Sequence, residues 1–190
     1  FSTTKGLLID VAAINLAQLD LRNGLIHIQG GANNKHLVDV LRKTNFAVPA
    51  GRCWTVGVAG LTLGGGWGFS STRFGLTCDS LVATRLVLPN TQEVMVDDEG
   101  PLRDLAWAMR GAGGGNFGIN TVLSYKLSDV SGIVTVFNIT WSAQKFVDLI
   151  SQLQEIQNVN AQQIAMRIAV RQRAAGRNQS INDIEVNCLG

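Results

Sequence analysis

The chain has 190 residues, 46% of them hydrophobic and 16% charged, with a net charge of +2. That length and composition suit one buried core and part of a second, and so small and scattered a charge excludes a polyanion-binding surface, so no nucleic-acid partner is expected. No apolar stretch reaches the roughly 18 residues of a membrane span, and the cysteines at 53, 78 and 188 are odd in number and irregular in spacing, which excludes a disulfide framework and a Cys-x-x-Cys metal site.

Taken in order, residues 6–11 (Gly-Leu-Leu-Ile-Asp-Val) form a short apolar run that reads as a buried strand. Residues 19–22 and 25–29 alternate apolar and polar about Asn23-Gly24, the pair that best tolerates the positive φ values of a two-residue hairpin turn. His27 in the returning strand is expected to face solvent or a neighbour. Leu37, Val38, Val40 and Leu41 fall at helical spacing across residues 34–44, with Asn34 as N-cap and His36 on the surface. Leu81, Val82, Leu86, Val87 and Leu88 lead into Pro89-Asn90-Thr91, and residues 93–96 return, which predicts a second hairpin. Residues 102–110 read as a short helix and 119–127 as a strand in which Tyr125, the single tyrosine, is structural.

Beyond Ser128 the pattern changes, placing a boundary within residues 129–132. Residues 133–141 alternate as a strand, and Ser142 caps a helix striped by Phe146, Leu149, Ile150, Leu153 and Ile156. Two further strands, 164–173 and 181–189, flank the polar turn 174–180. A strand, a helix and two strands make too little for a complete domain. The sequence therefore reads as an internal stretch of a longer protein, with residues 1–130 in one domain and 131–190 opening another. Asn138-Ile139-Thr140 and Asn178-Gln179-Ser180 match the glycosylation triplet, which arises often by chance. Localisation stays open between secreted and cytoplasmic.

The richest signal is the run over residues 51–68, Gly-Arg-Cys-Trp-Thr-Val-Gly-Val-Ala-Gly-Leu-Thr-Leu-Gly-Gly-Gly-Trp-Gly, which holds seven glycines and is otherwise apolar. Flexible linkers are polar, so glycines among Val, Leu and Trp mark backbone pressed against something flat or bulky. A second run, Gly-Ala-Gly-Gly-Gly-Asn-Phe-Gly at 111–118, supplies a second such wall, and two glycine-rich backbone loops are expected to frame one large cofactor. Gly113-x-Gly115-x-x-Gly118 matches the dinucleotide fingerprint formally, but the expected order here is helix then strand, the reverse of what that motif needs. The bland alternatives are that these glycines only make tight turns, that Cys53 is a small buried hydrophobe, and that Trp54 and Trp67 are plain core. Asp79 and Arg110 read equally well as a turn residue and a helix C-terminal charge.

The first run, then Arg-Phe-Gly-Leu-Thr-Cys-Asp at 73–79, then residues 104–110 leading into 111–121, occur in one order. In that order the sequence resembles the FAD-linked oxidases of the berberine-bridge-enzyme-like group, within the vanillyl-alcohol-oxidase superfamily. The resemblance implies an α+β fold: a PCMH-type FAD-binding domain without its N-terminal part, followed by the start of an antiparallel-sheet substrate domain. It implies FAD as cofactor, with the backbone of Gly51, Cys53, Thr55, Val56, Gly57, Gly60, Leu61, Gly64, Gly65 and Gly68 along the ring and ribityl chain. The segment of Gly115, Phe117, Gly118 and Ile119 would reach the adenine side. Cys53 sits where many members bond covalently to flavin C6, giving a 6-S-cysteinyl link. Leu61 departs from the family, many of whose members carry a histidine there. The family's second anchor, a histidine in an Arg-x-Gly-Gly-His segment, is not in this chain, and its catalytic base belongs to the later substrate domain. The implied reaction is oxidation of an alcohol, of sugar, oligosaccharide or secondary-metabolite type, with hydride passing to flavin N5 and dioxygen leaving as hydrogen peroxide. Alternatives are a dehydrogenase of the same fold and a non-catalytic flavin-binding remnant or interaction module. The expected partners are a small-molecule substrate and dioxygen; no metal and no membrane is expected.

Overall fold

Residues 6–132, 134–160, 162–174 and 180–189 are described by a computed structural model of the chain. They fall into two compact units: residues up to Gly68 with Phe74–Ser131, and Phe69–Arg73 with the residues from Gly132 onward.

In the first unit, alternation along the strands decides which side of a sheet meets the helices. Strands β1 (Ala17–Asp20), β2 (Leu25–Gln29), β4 (Leu81–Val87), β5 (Glu93–Asp97) and β6 (Ile119–Lys126) form one antiparallel sheet in the order β1-β2-β6-β4-β5. Ile26 lies opposite Tyr125 and Ile28 opposite Leu123, all four fully buried. Helices α1 (Asn34–Leu41), α2 (Val58–Leu63) and α4 (Arg103–Ala108) contribute Leu37, Leu41, Val58, Leu63 and Ala106 to the same core. The opposite sheet face pairs His27 with Ser124, whose Oγ lies 2.8 Å from His27 Nδ1, inside an open groove of about 330 Å3. A two-strand ribbon of β3 (Phe46–Ala47) and β7 (Ser128–Asp129) and a single tight turn of helix at Thr77–Ser80 complete this unit, while the short helix α3 (Ser71–Phe74) lies mostly in residues of the second unit.

Both expected hairpins form, but the first turns differently. β1 and β2 close at Asp20 opposite Leu25, so four residues turn the chain instead of two. Asp20 accepts from the Asn23 amide at 3.2 Å and from its side chain at 2.6 Å, an Asx arrangement that leaves only Gly24 at positive φ, +65°. These bonds hold the Asp20 carboxyl below its usual range. Residues 7–11 are not a buried strand: they belong to no strand, and Leu7, Leu8 and Ile9 are exposed. An apolar run becomes a strand only where a partner strand takes up its amides and carbonyls, and these residues pair with none among those described. The short helix and the strand expected after it appear as α4 and β6 in that order, so the dinucleotide fingerprint has no strand-turn-helix context here.

The second unit is an antiparallel sheet in the order β8-β10-β9, made of β8 (Val136–Ser142), β9 (Ala165–Ala174) and β10 (Ser180–Leu189). Helix α5 (Phe146–Val159) buries Leu149 and Leu153 with Val186, and Trp141 and Met166 pack against them. The expected stripe is thus narrower than its sequence pattern, since Phe146 and Ile156 stay exposed. Ser142 ends β8 instead of directly capping α5; its Oγ accepts from the Gln144 amide at 3.4 Å. The expected polar turn lies largely outside the described residues.

Candidate functional site

The segment between β3 and α2 has no secondary structure of its own, so its carbonyls must find donors elsewhere. They find them at the start of α1. The Asn34 and Lys35 amides donate to Val56 O at 2.9 Å and Trp54 O at 3.1 Å, and Val58 N donates to Ala32 O at 2.9 Å. Asn34 Nδ2 adds bonds to Cys53 O at 2.9 Å and Gly51 O at 3.2 Å. Four carbonyls of the loop, those of Gly51, Cys53, Trp54 and Val56, are therefore held by α1. No bond within the described residues takes the amides of Cys53, Trp54, Thr55 or Gly57. These residues are exposed, as is the free Cys53 thiol.

Asn34 is not the N-cap that the sequence pattern predicts. Asn33 takes that place, its Oδ1 accepting from the amides of Lys35 and His36 at 3.1 and 3.3 Å. His36 is correspondingly more than a surface residue: its Nδ1 accepts from Asn33 N at 3.2 Å and closes a capping box. Two asparagines in succession offer two side chains, and only one can face the first turn; the other is carried inside.

The first glycine run is not all loop. Val58 begins six helical residues, through Leu63, with Gly57 as N-cap and Gly64 as C-cap. Thr62 fastens this short helix to the sheet. Its hydroxyl donates to Val58 O at 2.8 Å, which leaves the Tyr125 hydroxyl, also at 2.8 Å, to donate to Thr62 Oγ1. Both side chains are fully buried, and burial pushes the Tyr125 hydroxyl far above its ordinary range. The second glycine run docks on the far end of the same helix, where Gly113 N donates to Leu63 O at 2.7 Å. Arg110, at the root of that run, donates to Leu81 O through Nε and Nη2 at 3.2 and 2.8 Å and holds both Asp98 oxygens at 2.7 Å. That pairing holds the Asp98 carboxyl below its usual range and raises the Arg110 guanidinium. Asp79 accepts from Leu76 N at 2.8 Å, so both residues have structural work.

The glycines divide by what a side chain would meet. A Cβ on Gly68 would collide with the Ala50 carbonyl, and one on Gly118, at φ +149°, with the Val87 carbonyl and Leu86; the fold itself demands these two. Gly57 has an ordinary backbone (φ −64°, ψ 127°), Gly60 is helical, and a Cβ on either would meet nothing within 4 Å. Neither turn geometry nor packing accounts for glycine there. Trp54 and Trp67 are 58% and 52% exposed, so neither is plain core, and Val56 and Phe117 are exposed as well. Exposed apolar side chains beside glycines with open space and amides without acceptors fit a broad planar ligand carrying polar edge atoms, and a flavin ring has that form.

Of the expected site residues, Cys53, Thr55, Val56, Gly57, Gly60, Gly64, Gly115 and Phe117 are exposed, on two runs that the structure joins through Leu63. Gly65 and Gly68 are buried. Gly51 is partly buried, and Leu61 packs its side chain under the space where a Gly51 Cβ would stand. Ile119 opens β6 opposite Val87. Sequence reasoning missed Asn34 as a loop-holding residue and Leu63 O as the junction; the doubled asparagine was the available signal for the first, and nothing in the sequence marks the second. Among the described residues, no group of metal ligands occurs and no helix is long and apolar enough to cross a membrane.

An α+β unit with a paired glycine-rich surface of this kind defines a flavin-binding domain, and the chain belongs to the FAD binding domain family, on its berberine-bridge-enzyme-like branch, with residues 1–97 matched to the family. It is 40% identical over 136 residues to the FAD-linked oxidoreductase YvdP of Bacillus subtilis, covering 72% of this chain and 30% of that protein. It is 35% identical over 156 residues to the glucooligosaccharide oxidase of Sarocladium strictum, covering 80% and 31%. The structure of berberine bridge enzyme from Eschscholzia californica superposes with a TM-score of 0.85 at 25% identity, over 99% of this chain and 37% of that one. The chain thus spans about a third of the length of the relatives it matches.

Proposed function

We propose that this chain is the flavin-bearing part of an FAD-dependent oxidase that oxidises a CH–OH group of a small molecule, a sugar or oligosaccharide alcohol or a secondary metabolite. Residues 1–130 belong to the flavin domain in this reading, and 131–190 open the substrate domain. The observation that carries it is the surface around Gly57 and Gly60, where the fold leaves room that it does not use. The likeness to a glucooligosaccharide oxidase supports the sugar class.

The chemistry that FAD would supply when bound is acceptance of hydride from the substrate carbon, with reoxidation by dioxygen to hydrogen peroxide. The chain's own residues hold it. The amides of Cys53, Trp54, Thr55 and Gly57 would be free to meet acceptor atoms on the ring edge, Gly60 of α2 and its N-cap Gly57 would let the backbone approach the ring face, and Trp54 and Trp67 would exclude water. Gly115, Phe117, Gly118 and Ile119 extend the site toward the adenine. Cys53, exposed and not in a disulfide, would be the residue to bond to C6, in a 6-S-cysteinyl link.

The test is the visible spectrum of the purified protein before and after acid precipitation, repeated with Cys53→Ala, followed by a peroxide assay of the full-length protein on sugars, oligosaccharides and secondary-metabolite alcohols. Yellow colour kept in the pellet and lost from the variant, with peroxide formed, supports the proposal. Colour in neither pellet sinks the covalent link. Reduction of an artificial acceptor without peroxide assigns the dehydrogenase instead.

A further inference from the structure

Asn34 is only 2% exposed, and its two amide atoms are in opposite situations. Nδ2 donates to Cys53 O at 2.9 Å and Gly51 O at 3.2 Å, while Oδ1, also buried, has no partner among the described residues. Exchanging the two atoms would set an oxygen against two carbonyl oxygens, so the partners fix the orientation. An orphaned buried acceptor destabilises the folded chain, and an apolar side chain in this place would avoid that loss. What the asparagine provides, and an apolar residue cannot, is a donor that grips the carbonyls on either side of Arg52. With Asn34 N on Val56 O and Lys35 N on Trp54 O, two successive residues of α1 hold four carbonyls of the loop, while the Cys53 thiol stays outside.

We infer that Asn34 is a positioning residue for Cys53: by anchoring the carbonyls of Gly51 and Cys53 it sets the backbone from which the thiol reaches the C6 edge of the flavin. This rests on the reading of Cys53 as the attachment point. Attachment balances as the loss of the thiol proton and of the C6 hydrogen, with a new S–C6 bond and two electrons passed to dioxygen, which leaves as hydrogen peroxide. Asn34 takes no part in that exchange. It determines where the sulfur stands when the exchange begins.

The experiment compares Asn34→Asp, which keeps the shape and loses the donor, and Asn34→Leu, which loses donor and orphaned acceptor together. Three quantities are read on each purified protein: the rate of acid-stable flavin incorporation after adding FAD, the rate of Cys53 alkylation by iodoacetamide without flavin, and the melting temperature. The expectation is incorporation about tenfold slower in both variants, the scale set by one or two lost hydrogen bonds, with alkylation undiminished. Asn34→Leu should melt no lower than the parent. Incorporation at the parent rate in either variant overturns the inference, as does a loss that only tracks the loss of folded protein, or failure of both variants to fold. A parent protein that itself incorporates no acid-stable flavin sinks the reading of Cys53 before any variant is made, and so separates that failure from a failure of Asn34.

Discussion

Substituting Gly60 by alanine separates the needs of the fold from those of the cofactor. Gly60 lies within α2, is exposed, and a Cβ there meets nothing within 4 Å. Alanine in a helix interior is favoured over glycine by roughly 0.5–1 kcal/mol, and nothing among the described residues opposes the gain. The flavin-free variant should therefore melt higher by roughly 1–4 °C, on the scale for a chain of this size. If FAD lies on this surface, the same methyl intrudes between helix and ring, and overpacking of that kind costs about 1–3 kcal/mol. FAD affinity should fall by roughly fivefold to 150-fold. Melting followed by circular dichroism and a fluorescence titration with FAD read the two effects on one preparation. Gly118→Ala is the contrast: its Cβ collides with the Val87 carbonyl at a φ of +149°, so it should lower the melting temperature. A Gly60→Ala protein that melts higher and binds FAD as tightly as the parent refutes the placement of the cofactor; one that melts lower refutes the claim that the fold does not need this glycine.

Tyr125→Phe removes only the hydroxyl that donates to Thr62 Oγ1 and leaves the bond from Thr62 to Val58 O, so it should cost about 1 kcal/mol and lower the melting temperature by about 2–4 °C; no change would show that α2 is held by packing alone. In the parent, ultraviolet titration should show no ionisation of Tyr125 until the protein unfolds in base. Asp98→Asn loses a charge that is 60% exposed, so its effect is limited to about 0.5–1 kcal/mol. Because Arg110 lowers the Asp98 carboxyl, the contribution is present above the ordinary carboxylate value near pH 4 and disappears as pH falls through the lowered one. Urea midpoints of parent and variant should therefore differ at pH 7 and converge once the pH has fallen through the lowered Asp98 value; a difference that persists in stronger acid would assign the effect to geometry and not to charge.

Much of the fold was legible because alternation and helical spacing are local. β2, β4, β6 and α5 each bury a set of residues that the sequence pattern already groups, such as Ile26 with Ile28 and Leu149 with Leu153. The glycine runs stood out because their composition is wrong for a linker and wrong for a core, and the structure joins the two through the bond from Gly113 N to Leu63 O. Less legible were the positions whose role depends on a distant partner. Residues 7–11 are apolar enough for a strand yet pair with none among those described. The four-residue turn after β1 follows from the Asp20 side chain competing for Asn23, an Asx bond that the Asn-Gly signal hides.

The sequence by itself determined the family, the order of helix and strand around each glycine run, and the identity of the one cysteine within the first. The tertiary structure alone decided that Cys53 is exposed and that Trp54 and Trp67 are only about half covered, that Gly57 and Gly60 face open space while Gly68 and Gly118 do not, and that Asn34 turns inward onto carbonyls 17 and 19 residues away. The reason is physical. Periodicity records which side of its own element a residue occupies, whereas a hydrogen bond across the fold depends on which other segment arrives at that side, and only packing the whole unit brings it there.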